Sequence, residues 1–130
     1  MATVGQLMTS HLSTISEEAT IKQAAVYMHN ERIGSLLVKK EEEFSGIITE
    51  TDVVRAVAEE EGNISGISVA HVMSKPILSV EKKLSPHYAR DLMADKRIRH
   101  LAVTEEGKIV GIISARDLLA YFKTVSKEIA

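Results

Sequence analysis

The chain repeats itself at a spacing of 65 positions, and this internal repeat constrains the possible folds more than any other feature. The segment from Gly46 to Asp52 returns from Gly111 to Asp117, each time as glycine, two isoleucines, a hydroxyl residue, two variable residues and aspartate. The same spacing aligns residues 4–57 with residues 69–122 without a gap. A single register held over so long a stretch indicates a duplicated structural unit.

A change of composition marks the boundary between the two copies. A run of three glutamates at 59–61 is followed by Gly62-Asn-Ile-Ser-Gly66, which is typical of a solvated loop. The sequence therefore predicts one compact module divided into a first repeat at 1–60, a linker at 61–67, a second repeat at 68–124 and a C-terminal tail at 125–130.

Within each repeat the hydrophobic periodicity alternates between strand and helix. Thr20 and Ser85 are predicted N-caps, the first with Gln23 in a capping box and the second with Pro86 at the first helical position. We expect a strand before each of these helices, two strands after it, and a second helix at the end of the repeat. The predicted strands are 12–15, 35–38 and 44–48, then 77–80, 100–103 and 109–113; the predicted final helices run from Thr51 to about Glu60 and from Ala115 to about Lys127.

This order predicts an α/β (α+β) fold made of two tandem β-α-β-β-α repeats. A three-stranded sheet exposes an apolar face unless something covers it. Two copies packed sheet to sheet, with pseudo-two-fold symmetry, would cover both faces within one chain.

The duplication, the order of elements and the Gly-Ile-Ile-Ser/Thr-x-x-Asp segments resemble the CBS domain, of which two tandem copies form a Bateman module. The resemblance extends from about Val4 to Phe122 and includes the Leu-Met-Thr/Ser opening of each repeat and an Arg-Ile pair before the second strand. It implies two pseudo-symmetric clefts that can bind AMP, ADP, ATP, NAD or S-adenosylmethionine. It also implies assembly into homodimers.

The segment from Ser114 to Asp117 has two interpretations. Ser114 can cap a helix and Asp117 can close a capping box, which requires no ligand. Arg116 favours a ligand, because a cation in the first turn opposes the helix macrodipole, whereas a phosphate at the helix N-terminus would account for it. The resemblance implies that Ser114 and Arg116 meet phosphate and that Asp117 accepts hydrogen bonds from ribose hydroxyls.

The first repeat departs from this pattern at one position. Thr49 and Asp52 match Ser114 and Asp117, but Thr51 stands where the second repeat has Arg116. Because threonine carries no charge, we expect a weaker attraction for phosphate in the first repeat. The sequence thus predicts two unequal sites, with the tighter one in the second repeat.

Five further residues are candidate ligand contacts. Arg99 and His100 begin a strand, where the resemblance implies contact with ligand phosphates; the alternative is that they are ordinary residues at the strand edge. Because imidazole titrates near neutrality, a contact by His100 would lower phosphate affinity as the pH rises. Adenine is expected near Ile77 and Val80, and near Ile15 in the first repeat, although apolar residues at such positions equally serve a core.

Composition and motif content argue against several other functions. The net charge of −2 and the 4% aromatic content make nucleic-acid binding improbable. The chain has no cysteine, and its five histidines lack the helical zinc spacing, so no metal site is expected. Phosphate loops and nucleophile motifs are also absent, and we expect no catalytic residues and no enzyme activity.

A location in the cytoplasm is expected, since no apolar run is long enough to span a membrane and no signal peptide is recognisable. The leading prediction is a regulatory module that binds an adenine nucleotide, with AMP first among the candidates. It would signal to an unknown protein partner by a conformational or dimer rearrangement. The alternative is an adaptor whose clefts hold no ligand.

Overall fold

The computed structural model describes residues 1–59 and 64–129, with side chains through residue 126. The first three residues of the predicted linker, 61–63, lie outside the described residues, as do Glu60 and Ala130. The α/β class and the strand-helix-strand-strand-helix order are confirmed in both repeats. The elements are α1 (Val4–Leu7), β1 (Thr14–Ser16), α2 (Ile21–Glu31), β2 (Ser35–Lys40), β3 (Glu43–Thr49), α3 (Glu50–Glu59), α4 (Val69–Val72), β4 (Ser79–Glu81), α5 (Pro86–Lys96), β5 (His100–Glu105), β6 (Lys108–Ser114) and α6 (Ala115–Ile129).

Each repeat contributes one three-stranded mixed sheet, with strand orders β1-β2-β3 and β4-β5-β6. The first two strands of each sheet are parallel and are joined through α2 or α5, as a parallel connection requires. The last two strands form an antiparallel hairpin. The charged run around Glu41 forms the exposed tip of the first hairpin.

The capping signals place the long helices where the sequence predicts them. The Thr20 hydroxyl accepts a hydrogen bond from the Gln23 amide, and the Gln23 side chain accepts one from the Thr20 amide. The Ser85 hydroxyl caps α5 in the same way. Both helices end on an arginine in the left-handed conformation, Arg32 and Arg97, each with φ of 57°.

The chain forms two compact units that are not divided where the sequence repeats are. One unit contains residues 13–77, and the other contains residues 1–12 with 78–130. Helix α1 therefore joins the sheet of the second repeat, where the Val4 amide donates to the Leu84 carbonyl at 2.8 Å. Helix α4 joins the sheet of the first repeat, where the Val69 amide donates to the Ala19 carbonyl at 2.7 Å.

Each unit has its own apolar core built from helix and strand residues. Met28 and Met93, each 5% exposed, lie in these cores, as their helical spacing predicts. The buried cluster of the first unit is Ala24, Met28, Leu36, Val38, Ile48 and Val69. The buried cluster of the second unit is Val4, Val80, Ala89, Met93, Leu101, Val103, Ile113 and Leu118.

The repeated glycine has a steric explanation within each unit. A Cβ atom on Gly46 would stand 2.7 Å from the Met73 sulfur and 2.9 Å from the Ser74 carbonyl oxygen. A Cβ on Gly111 would likewise meet the Met8 sulfur and the Thr9 carbonyl oxygen. The segment after each short helix crosses the last strand so closely that only glycine leaves it room.

Candidate functional site

The end of β6 and the first turn of α6 form a capping box in the second repeat. The Asp117 Oδ2 atom accepts hydrogen bonds from the Ser114 amide at 2.8 Å and from the Ser114 hydroxyl at 3.0 Å. The Asp117 amide donates back to the Ser114 hydroxyl oxygen at 3.1 Å. The predicted capping role of these two residues is confirmed. It uses one carboxylate oxygen of Asp117.

The other carboxylate oxygen of Asp117 remains open. Among the described residues, none donates a hydrogen bond to Oδ1, and no buried side-chain oxygen lacks a partner. The Oδ1 atom of this half-buried residue is therefore at least partly accessible to solvent. Arg116 is exposed beside it in the first helical turn and forms no ion pair with another described residue. A charged acceptor and a cation thus stand together at the N-terminus of a helix of 15 residues.

The strand β5 brings two more candidate residues to the same end of the sheet. His100 lies opposite Ser114 in the antiparallel pairing of β5 and β6. The carbonyl of Arg99 accepts a hydrogen bond from the Ala115 amide at 2.8 Å, which ties the start of β5 to the start of α6. Arg99 is exposed and His100 is half-buried. One edge of this sheet therefore brings together five candidate residues: Ser114, Arg116, Asp117, Arg99 and His100.

The matching residues of the first repeat have different surroundings. Thr49 and Asp52 form the same capping box, with the Thr49 amide 3.0 Å from Asp52 Oδ2 and the Asp52 amide 3.3 Å from the Thr49 hydroxyl. Asp52 Oδ1, however, accepts hydrogen bonds from Arg55 Nη2 at 3.0 Å and from the Ser74 hydroxyl at 2.9 Å. The side chain of Asp52 is only 2% exposed. Both of its carboxylate oxygens are thus engaged within the protein.

Arg55 and Ser74 were not among the residues predicted from the sequence. Arg55 lies one helical turn after Asp52, and this i,i+3 spacing of opposite charges was a signal that could have suggested the ion pair. Ser74 lies 22 positions away from Asp52. Only the packing of the segment after α4 against β3 brings its hydroxyl to the carboxylate.

The predicted adenine contacts occupy other parts of the two units. Val80 is 3% exposed and belongs to an apolar core, so its side chain is turned away from solvent. Ile15 is half-buried and packs against the core of its own unit, residues 13–77. Ile77 is half-buried and is the last residue of the unit that spans 13–77. Ile15 and Ile77 thus belong to the unit of residues 13–77, whereas Ser114 and Asp117 belong to the other unit.

Across residues 1–59 and 64–129, no group of histidine and acidic side chains is arranged to hold a metal ion. None of the helices described is both long enough and apolar enough to cross a lipid bilayer.

Comparison with known proteins gives a family match over both repeats. The CBS domain model matches residues 4–59 and again residues 69–124. Among curated relatives, the uncharacterized protein MK0525 of Methanopyrus kandleri is 34% identical over 118 residues, which is 89% of this chain. The chain spans 60% of the length of that relative.

Solved structures have the same fold. The CBS-domain containing protein ATU1752 from Agrobacterium tumefaciens is 28% identical with a TM-score of 0.88, covering 93% of this chain and 99% of that one. A hexameric CBS-CP12 protein from bloom-forming cyanobacteria is 31% identical with a TM-score of 0.85, covering 98% and 75%. The CBS domain pair of protein MJ0100, solved in complex with 5′-methylthioadenosine and S-adenosyl-L-methionine, is 18% identical with a TM-score of 0.82, covering 95% and 98%.

Proposed function

This chain belongs to the CBS-domain family, and from that premise we propose that it is a regulatory module that binds an adenosyl ligand at the sheet edge formed by Ser114, Arg116 and Asp117. CBS pairs are ligand-sensing regulatory modules in general, and they are not catalysts. For this chain, we propose the ligand, the binding site and the manner of signalling.

One observation carries the proposal: Asp117 keeps a carboxylate oxygen open to solvent at a helix N-terminus that also bears Arg116. A carboxylate is a strong acceptor for the paired hydroxyls of a ribose. The amide groups of the first turn of α6 and the guanidinium of Arg116 are donors suited to phosphate. A nucleoside with a phosphate close to its ribose would use both kinds of group at once.

The ligand class follows from these charges. The MJ0100 domain pair was solved with two adenosyl compounds, which supports the adenosyl group as the common element. In this chain Arg116 and Arg99 add two exposed cations near the open carboxylate. Among candidate ligands we therefore place AMP first, followed by ADP, ATP, NAD and S-adenosylmethionine. We propose His100 as an additional contact to the phosphate.

Binding can act as a signal only if the ligand prefers one state of the protein. The ligand shifts the equilibrium between two arrangements by no more than its difference in affinity for them. We propose that a protein partner in the cytoplasm recognises the arrangement that the ligand favours. We also propose that copies of the chain associate. Association is supported by the hexameric CBS-CP12 relative and by the exposed apolar residues Val54 on α3 and Leu119 on α6.

The rival function is an adaptor that binds no small molecule. A thermal-shift screen with AMP, ADP, ATP, NAD and S-adenosylmethionine separates the two functions. A ligand at 100 times its dissociation constant should raise the free energy of unfolding by about 2.7 kcal/mol. We expect AMP to raise the melting temperature of the wild-type protein clearly more than that of Asp117→Asn. No shift with any of the five compounds would favour the adaptor.

A further inference from the structure

The carboxylate of Asp52 is the one buried acidic side chain in the described residues, and it accepts four hydrogen bonds. Thr49 supplies two of them through its amide and hydroxyl. Arg55 and Ser74 supply the other two, both to Oδ1. A ribose hydroxyl would find neither oxygen available.

These contacts hold separate segments of the unit together. Arg55 Nη2 also donates to the Val72 carbonyl at the end of α4, at 3.0 Å. Ser74 follows α4, and its main chain pairs with Ile47 on β3. Asp52 on α3 is therefore linked to the α4 segment twice, directly through Ser74 and through Arg55.

The second repeat lacks both links. At the repeat spacing of 65, Ala120 stands where Arg55 stands, and Thr9 stands where Ser74 stands. The main chain of Thr9 pairs with Ile112, as that of Ser74 pairs with Ile47. Yet within the described chain the Thr9 side chain is exposed and forms no hydrogen bond with Asp117. The two aspartates of the duplicated motif thus have opposite surroundings.

We propose that Arg55 and Ser74 occupy the carboxylate of Asp52, so that Asp52 links segments of its unit and binds no ligand. The chain then binds one adenosyl ligand, at Asp117. The identity of the ligand rests on the proposed function; the structural role of Asp52 does not. A ligand that used Asp52 would have to displace the charge-assisted hydrogen bonds that Arg55 and Ser74 donate to this buried carboxylate, which is costly.

The same substitution at the two aspartates tests this proposal. In Asp52→Asn, without nucleotide, the melting temperature should fall by about 5–10 °C, because the neutral amide loses its charge-assisted bonds to Arg55 and Ser74. Calorimetry should give an AMP dissociation constant within about threefold of wild type. In Asp117→Asn the melting temperature should fall by less, because among the described residues the carboxylate accepts only the two capping bonds from Ser114, which an amide oxygen can still accept, while AMP affinity falls by at least about tenfold.

A second matched pair serves if Asp52→Asn fails to fold. Ser74→Ala removes only the hydroxyl that reaches Asp52, and Thr9→Ala removes a hydroxyl and a methyl group at the equivalent, exposed position. We expect Ser74→Ala to lower the melting temperature of the ligand-free protein and Thr9→Ala to leave it unchanged.

Equal melting temperatures in the members of either pair would overturn the structural role. Two AMP molecules bound per wild-type chain, or loss of AMP binding in Asp52→Asn, would overturn the claim that Asp52 binds no ligand. If the wild-type protein binds none of the five adenosyl compounds, the proposed function fails. The ligand-free melting temperatures still decide the role of Asp52 in that case.

Discussion

At the scale of single residues, the two repeats differ where their motifs would meet a ligand. Thr51 in the first repeat corresponds to Arg116 in the second, and Arg55 corresponds to Ala120. The first repeat therefore lacks the cation that Arg116 supplies to the solvent-exposed turn of the second. It has instead a cation, Arg55, on the buried carboxylate of Asp52. Both differences leave the second repeat better suited to an anionic nucleotide.

The role of Arg116 can be tested by copying the first repeat into the second. Arg116→Thr should weaken AMP binding by about tenfold, because it removes one charge-assisted contact to phosphate. Adenosine, which has no phosphate, should bind the variant and the wild type with similar affinity. Titration calorimetry with both ligands measures the difference.

Lys123→Thr, which removes the same charge from an exposed position later on α6, is the control and should leave both affinities unchanged. An equal loss of AMP and adenosine affinity in Arg116→Thr would contradict a phosphate contact.

The residues of the candidate site were only partly predictable. Ser114, Asp117 and their capping geometry follow from the hydroxyl-x-x-Asp spacing, which the structure confirms. The engagement of Asp52 did not follow, because it depends on Ser74, whose position is set by how the α4 segment crosses β3. Sequence spacing specifies contacts within one helical turn and is silent on such crossings.

At the scale of secondary structure elements, N-cap residues were more informative about where helices lie than the lengths of the elements were. Thr20 and Ser85 fix the starts of α2 and α5, and the structure places both N-caps at these residues. The short helices α1 and α4 were not predicted, because four residues are too few to show helical periodicity. Helix α1 had a signal in the capping box of Thr3 and Gln6, whereas Ser68 forms no side-chain cap on α4.

The left-handed end of α5 gives a prediction at this scale. Arg97 has φ of 57°, a conformation that costs an L-residue about 1–2 kcal/mol and that glycine adopts freely. Arg97→Gly should therefore raise the free energy of unfolding, by about 0.5–1 kcal/mol after the added flexibility of the unfolded chain is counted. Denaturant unfolding measures this change.

The neighbouring substitution Lys96→Gly is the control, since Lys96 is the last residue of the helix. It should destabilise the protein by about 0.5–1 kcal/mol. A loss of stability in Arg97→Gly would show that the arginine side chain contributes more than its backbone conformation costs.

At the scale of the whole molecule, the duplication and the two sheets were predictable from one alignment of the chain with itself. The membership of the compact units was not, because residues 1–12 join the unit of 78–130. The register of a repeat shows which segments are equivalent, and it does not show which sheet a segment packs against. Hydrogen bonds such as that from Thr9 to Ile112 determine this partition.

The proposed association of copies makes a further prediction. Val54 and Leu119 occupy equivalent positions on α3 and α6 and are 68% and 71% exposed, so they are suited to an apolar contact between chains. Sedimentation velocity should find the wild-type protein as a dimer or larger assembly, and Leu119→Glu should weaken that assembly.

Val26→Glu provides the control, because Val26 is exposed and its equivalent in the second repeat is already acidic, Asp91. This variant should assemble as the wild type does. A monomeric wild-type protein at all concentrations would contradict the proposed association.

The central claim is that the open carboxylate of Asp117 belongs to the adenosyl site of this chain. Calorimetric titration of AMP into the nucleotide-free wild-type protein and into Asp117→Asn tests it most directly. We predict one AMP bound per wild-type chain and a loss of affinity of at least about tenfold in the variant. Absence of binding to the wild type, or equal affinity in the two proteins, would contradict the claim.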